Sequence, residues 1–209
     1  MNKLIIGLDL STVCSGYAIF YNKDLLVYDR IKPKTTLDVN ERIEYMTHEF
    51  AKVFKSIKKD FSDAEMKFII ENIYLAFFRG KNQVEGFANL GRISGAIMAT
   101  IFLVLGKDSS HITLRPAISA RPMVGMKGNC QKAEVQSWVI LNFTDKDALD
   151  YECLIDAVYA EQFSGEISKA VFKQRMGEIS KIIEAETGFG EDVSDAILLG
   201  YGEVKNEKI

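Results

Sequence analysis

The segment Lys3-Leu-Ile-Ile-Gly-Leu-Asp-Leu constrains this chain more than any other. An apolar run of that length reads as a strand buried on both faces, yet it carries an acid, Asp9, between Leu8 and Leu10. A carboxylate in that setting needs a cation, hydrogen-bond donors or water at the strand end. Gly16 to Tyr21 continues with β-favouring residues, Asn22-Lys23-Asp24 reads as a hairpin turn, and Leu25 to Ile31 as a third strand. Short connections make these three strands an antiparallel meander.

Thr36 to Lys59 has helical periodicity, with Thr36 or Asp38 as its cap. Lys67-Phe-Ile-Ile-Glu is a short buried strand ending in an acid. Val84 to Leu105 is a long helix whose Gly91 and Gly95 would admit a close neighbour. Ile112-Thr-Leu is a short strand, Pro116 opens a brief helix or turn, and 123–129 is a Gly-containing loop. Helices follow over 131–143, about 147–163, 166–187 and from about Asp192. Strands first and helices after predict a single α/β domain over 1–209.

The length of 209 residues, with 47% hydrophobic and 26% charged, supports one packed core and excludes disorder for most of the chain. The run Ile93 to Leu105 falls short of the roughly 18 residues of a membrane span. The apolar start meets Asp9 too soon for a signal peptide, so a cytosolic protein without a membrane partner is expected. Cys14, Cys130 and Cys153 offer neither a disulfide framework nor a zinc ribbon, and they read as packing or loop residues. His48 and His111 are too few for a His-based site. Any metal would be held by carboxylates, which favours Mg²⁺ or Mn²⁺.

The net charge is -3, unevenly spread. From Arg79 to Lys132 eight basic residues face two acids, while from Asp145 to Asp195 thirteen acids face five bases. That pattern is compatible with one face presented to a polyanion, and equally with an unevenly charged solvated surface. Glu71, like Asp9, is an acid where a core prefers apolar groups. Asp192 and Asp195 share a helical face three residues apart. Four carboxylates from two strands and a helix could hold two divalent metals about 4 Å apart, the arrangement that supports in-line phosphoryl displacement. Spacing alone does not bring the three segments together.

The motifs resemble those of the RuvC family of Holliday-junction resolvases. Gly7-Leu-Asp-Leu-Ser-Thr-Val-Cys-Ser-Gly-Tyr-Ala is similar to the family's first strand and hairpin, and Ile70-Glu-Asn-Ile-Tyr to its second motif. Leu90-Gly-Arg-Ile-Ser-Gly-Ala-Ile resembles the helix that follows. Val124-Gly-Met-Lys-Gly-Asn-Cys-Gln-Lys-Ala-Glu-Val-Gln-Ser-Trp-Val resembles the Gly-rich loop and helix carrying a functional lysine. Asp192-Val-Ser-Asp-Ala resembles the closing motif. Residues 145–188 depart from the pattern, being longer than the family usually has. Tyr74 also stands where the family tends to have a stacking Phe.

The resemblance implies a ribonuclease H-like fold, with a mixed five-stranded sheet, meander first, flanked by helices. It implies a metal-dependent endonuclease that nicks four-way DNA junctions and leaves 5′-phosphates. Asp9, Glu71, Asp192 and Asp195 would bind two Mg²⁺ ions, Mn²⁺ substituting, with Lys132 beside the scissile phosphate. Tyr74, Arg79, Lys81, Arg92, Lys127 and Lys132 would contact DNA. Phe77 and Phe78 would enter the junction or pack. A homodimer would present two sites, with the apolar face of the Val84–Leu105 helix as its surface or as core. A bacterial or phage source fits. Three other readings stay open: a less selective nuclease for branched, flap or fork DNA, a junction binder without catalysis, and an actin-like or sugar-kinase-like ATPase.

Overall fold

The computed structural model describes residues 2–72, 81–144 and 148–206. A five-stranded sheet runs through the molecule in the order β3-β2-β1-β4-β5. Its strands are β1 (Lys3–Asp9), β2 (Ser15–Tyr21), β3 (Asp24–Ile31), β4 (Glu65–Glu71) and β5 (Ile112–Arg115). β1, β2 and β3 pair antiparallel, as the short connections require, and Asn22 takes the left-handed backbone (φ 56) that the tight β2–β3 turn demands. β4 joins β1 in parallel, and β5 joins β4 likewise. The sheet is therefore mixed, with the meander first.

Alternation along each strand divides the core into two layers. Leu4, Ile6, Leu8, Phe68 and Ile70 face α1 (Val39–Asp60) and α2 (Lys81–Leu105). Asp38 caps α1 through a capping box with Glu41, and Met46, Phe50, Phe54 and Ile57 form its buried stripe. α2 buries Ile93, Ile97, Ile101 and Leu105 in the same layer. By length and composition alone, the 22 residues Val84–Leu105 are apolar enough to cross a membrane, because the apolar stretch extends further back than Ile93. One face of this helix is nonetheless core, whereas Leu103 is 85% exposed and Val84 64%. A Cβ added at Gly91 or Gly95 would meet open space. Contrary to the sequence expectation, no described residue approaches these glycines closely.

The other sheet face carries Ile5, Ala18, Phe20 and Ile69, packed with the helices α3 (Ala117–Met123), α4 (Lys132–Phe143), α5 (Leu149–Ser164), α6 (Lys169–Thr187) and α7 (Glu191–Asn206). α7 lies directly on β1 and β2, with α3 and α4 beyond it. Gln136, fully buried on α4, donates to the Ser180 carbonyl (3.3 Å) and the Phe189 carbonyl (2.8 Å), tying α4 to α6 and to the entry of α7. From Ala148 onward the 145–188 stretch thus packs onto the same core, through α5 and α6.

Candidate active site

β1 and β4 run parallel with Leu8 beside Ile70, so Asp9 and Glu71 end adjacent strands side by side. The two-residue period that sends Ile5 and Ile69 toward α7 sends Asp9 and Glu71 the same way. α7 reaches this edge because three positions lack a side chain. A Cβ on Gly7 would stand 2.1 Å from the Ala196 carbonyl oxygen, and one on Gly16 2.1 Å from that of Asp192. One on Gly200 would stand 2.7 Å from the Phe20 ring. Backbone therefore meets backbone, and the start of α7, with Glu191 and Asp192 in its first turn and Asp195 just beyond, arrives at the end of β1 and the start of β2.

The electrostatics record how closely these acids are gathered. Burial first, then the charge of Glu71 and the hydrogen bond that a protonated Asp9 donates to it, then Asp195 and Asp192, push the Asp9 carboxyl well above the usual carboxylate range. Burial also raises Asp195 to about 6, against the opposing pull of Arg121 and Lys132 and with repulsion from Glu71 and Glu191. Its Oδ1 is buried without a hydrogen bond, and Arg121 Nη2 stands 3.8 Å away, beyond hydrogen-bond range. Asp192 lies against the Cys14 thiol, which burial and this acid push up to about 12. Cys14 is thus a buried neutral thiol, and it is unpaired like Cys130 and Cys153.

Three cations edge the cluster. Lys132, in the first turn of α4, pairs with Glu191. Although burial works against its charge, that pairing and the nearby Asp195 and Asp192 hold its pKa above the usual lysine range. Arg121 donates from Nη1 to the carbonyls of Gly128 (3.2 Å) and Cys130 (2.9 Å), fastening the Gly-containing loop beside Asp195. Arg30, from β3, pairs with Glu184.

The four carboxylates and Lys132 thus meet at one sheet edge. Lys127 is exposed in the loop between α3 and α4, whereas Arg92 is exposed on α2, across the sheet from α7. Tyr74, Phe77, Phe78 and Arg79 lie outside the described residues, as does the side chain of Lys81. Sequence reasoning missed Arg121 and Glu191, whose roles depend on partners remote in sequence. An Arg in a short Pro-containing helix carries no signal of its own.

Among the described residues, no three His, Cys, Asp or Glu side chains stand ready to coordinate a metal. The donor chemistry nevertheless fits a hard divalent cation. All four groups are carboxylates, their mutual repulsion raises Asp9, and Asp195 offers a buried oxygen with no hydrogen bond.

No protein-family model matches the sequence, and no curated protein matches it. Among solved structures, the chain is similar to Thermus thermophilus RuvC in complex with Holliday junction substrate. Identity is 10%, covering 97% of this chain and 93% of that one, with a TM-score of 0.53. Another T. thermophilus RuvC structure matches at 12% identity over 90% and 97% of the two chains, with a TM-score of 0.48. The ethanolamine utilization protein EutJ from Carboxydothermus hydrogenoformans matches at 9% over 97% and 89%, with a TM-score of 0.41. At such identities the likeness establishes fold alone, and of these three the junction-bound RuvC carries that argument. The chain has the ribonuclease H-like fold of RuvC, with a mixed five-stranded sheet flanked by helices.

Proposed function

We propose that the chain is a metal-dependent endonuclease for branched DNA that nicks four-way junctions and leaves 5′-phosphates. The observation that carries this reading is the convergence of Asp9, Glu71, Asp192 and Asp195 at one sheet edge, close enough to raise Asp9. The RuvC-like fold, and a neighbour of that fold described with a Holliday junction substrate, add support.

Asp9, Glu71, Asp192 and Asp195 would hold two Mg²⁺ ions, with Mn²⁺ able to substitute. Such ions, when bound, lower the pKa of water and polarise a phosphodiester. The chain's own contribution is positional. The sheet edge fixes Asp9 beside Glu71, and the glycine contacts hold Asp192 and Asp195 above them. Lys132, paired with Glu191, keeps an ammonium at the rim, where it would offset charge on a bound phosphate. Arg121 braces the loop that leads into Lys132 and offsets part of the charge of Asp195. Arg79, Lys81, Arg92 and Lys127 would contact backbone phosphates. A two-fold dimer would present two such centres to a junction, with exposed Phe102 and Leu103 of α2 as its candidate surface.

The test is cleavage of end-labelled four-way junction, flap and linear duplex DNA in Mg²⁺ and in Mn²⁺. Paired symmetric nicks in the junction, absent without divalent metal, are expected. Equal cutting of flaps and junctions would move the reading to a general branched-DNA nuclease. Binding without any cleavage would leave a junction-binding protein.

A further inference from the structure

Away from the acid cluster, a cavity of about 390 Å³ opens between α4, α5 and the loop before α4. Glu134 and Trp138 of α4 line it, as do Glu152 and Asp156 of α5. Met126 and Ile155 add apolar wall. Glu134 is already engaged, accepting from the Gln131 amide and the Tyr159 hydroxyl. Glu152 and Asp156 stand one helical turn apart as like charges, an unfavourable pairing on an isolated helix. Among the described residues no cation pairs with either.

A second observation is independent of the acids. Ser137 also lines the cavity, is only 3% exposed, and keeps its hydroxyl buried with no hydrogen-bond partner. A buried hydroxyl without a partner is costly in a folded protein. A donor that also satisfies two carboxylates and tolerates an apolar wall would supply that partner. Met126, Ile155 and Trp138 leave much of the wall apolar, which suits an organic cation better than a hard metal ion that needs about six or more oxygen donors. The requirement describes an organic cation with an aliphatic stem and an ammonium at each end. Its stem would lie along Met126 and Ile155, one ammonium would meet Glu152 and Asp156, and the Trp138 ring offers a cation–π face.

We propose that this cavity is a binding site for an aliphatic polyamine, held by Glu152, Asp156 and the Ser137 hydroxyl beside Trp138. The site does not depend on the nuclease reading, and its test needs no DNA.

Trp138 is the one tryptophan in the sequence, so its fluorescence reports on the cavity directly. The experiment titrates spermidine into the full chain without DNA and follows Trp138 emission. A saturable change is expected, with its midpoint raised about tenfold in E152Q/D156N, where charge-assisted hydrogen bonds are lost. Ser137→Ala, which removes only the hydroxyl, should raise the midpoint while circular dichroism stays unchanged. An absent response, an identical response in both variants, or the same response to Mg²⁺ at equal charge would overturn the proposal. A stronger response to N-acetyl-lysine amide than to spermidine would also overturn it, pointing to a protein side chain instead.

Discussion

Asp195 illustrates how one residue sets a pH dependence. Its carboxyl titrates near 6 in the folded chain, mainly through burial, whereas an unfolded aspartate titrates near the ordinary value of 3.8. Between those values the folded state binds more protons, so stability falls as pH rises from about 4 to about 6. For a group this enclosed the loss is of order 1–3 kcal/mol. Urea unfolding at pH 5 and pH 7.5 without divalent metal should show it, and Asp195→Asn should reduce the difference, the raised Asp9 carboxyl supplying the rest with the same sign. Mg²⁺ binding to the folded state alone would recover stability at the higher pH. Gly16 makes a steric counterpart, since Gly16→Ala sets a Cβ against the Asp192 carbonyl at 2.1 Å. It should cost about 1–3 kcal/mol in chemical denaturation and displace the acid-bearing turn of α7. The acids were legible in sequence because a carboxylate among Leu and Ile is anomalous there. Arg121 and Glu191 were not, because a charge in a polar context becomes informative only when its distant partner is known.

At the scale of elements, α7 is the piece on which the candidate centre depends. Glu203, 3% exposed as a side chain, accepts from Lys67 of β4 and Arg115 of β5 and pins the far end of α7 to the sheet. These two cations hold the Glu203 carboxyl below its usual range, overcoming its burial. Glu203→Ala leaves Arg115 enclosed without its counter-charge and should destabilise the fold by about 2–4 kcal/mol, measured by thermal or urea unfolding. Strand and helix positions were readable from periodicity, including the acid-capped start of α1 and the order of the meander. The contacts of the glycines were not. Gly91 and Gly95 looked like packing sites, yet a Cβ there would meet no described residue, whereas a Cβ on Gly7, Gly16 or Gly200 would collide where the sheet meets α7. A glycine's neighbours depend on which face of its element is buried against what, and that is a tertiary property.

Across the whole molecule, charge and architecture point the same way. The basic segment from Arg79 to Lys132 supplies α2, α3 and the loop before α4, while α5, with four acids and no base, and the acid-bearing start of α7 carry much of the acidic excess. If the basic residues contact DNA phosphates, junction affinity should fall linearly with the logarithm of salt concentration. Arg92→Ala and Lys127→Ala should each reduce that slope by about 0.9 in a binding titration, without moving the unfolding midpoint. The mixed five-stranded sheet with its meander first and the RuvC-like fold were accessible from motifs in their order along the chain, whereas the strand order was not. The packing of 145–188 was not, because its link to α7 runs through Gln136, a buried polar residue that periodicity would assign to a surface.

The central claim is that Asp9, Glu71, Asp192 and Asp195 form a divalent-metal centre, and a calorimetric titration of Mn²⁺ into the folded chain tests it most directly. The account predicts saturable binding to the wild type that is lost in Asp9→Asn and in Glu71→Gln, with circular dichroism unchanged. Equal Mn²⁺ binding by wild type and both variants would contradict it.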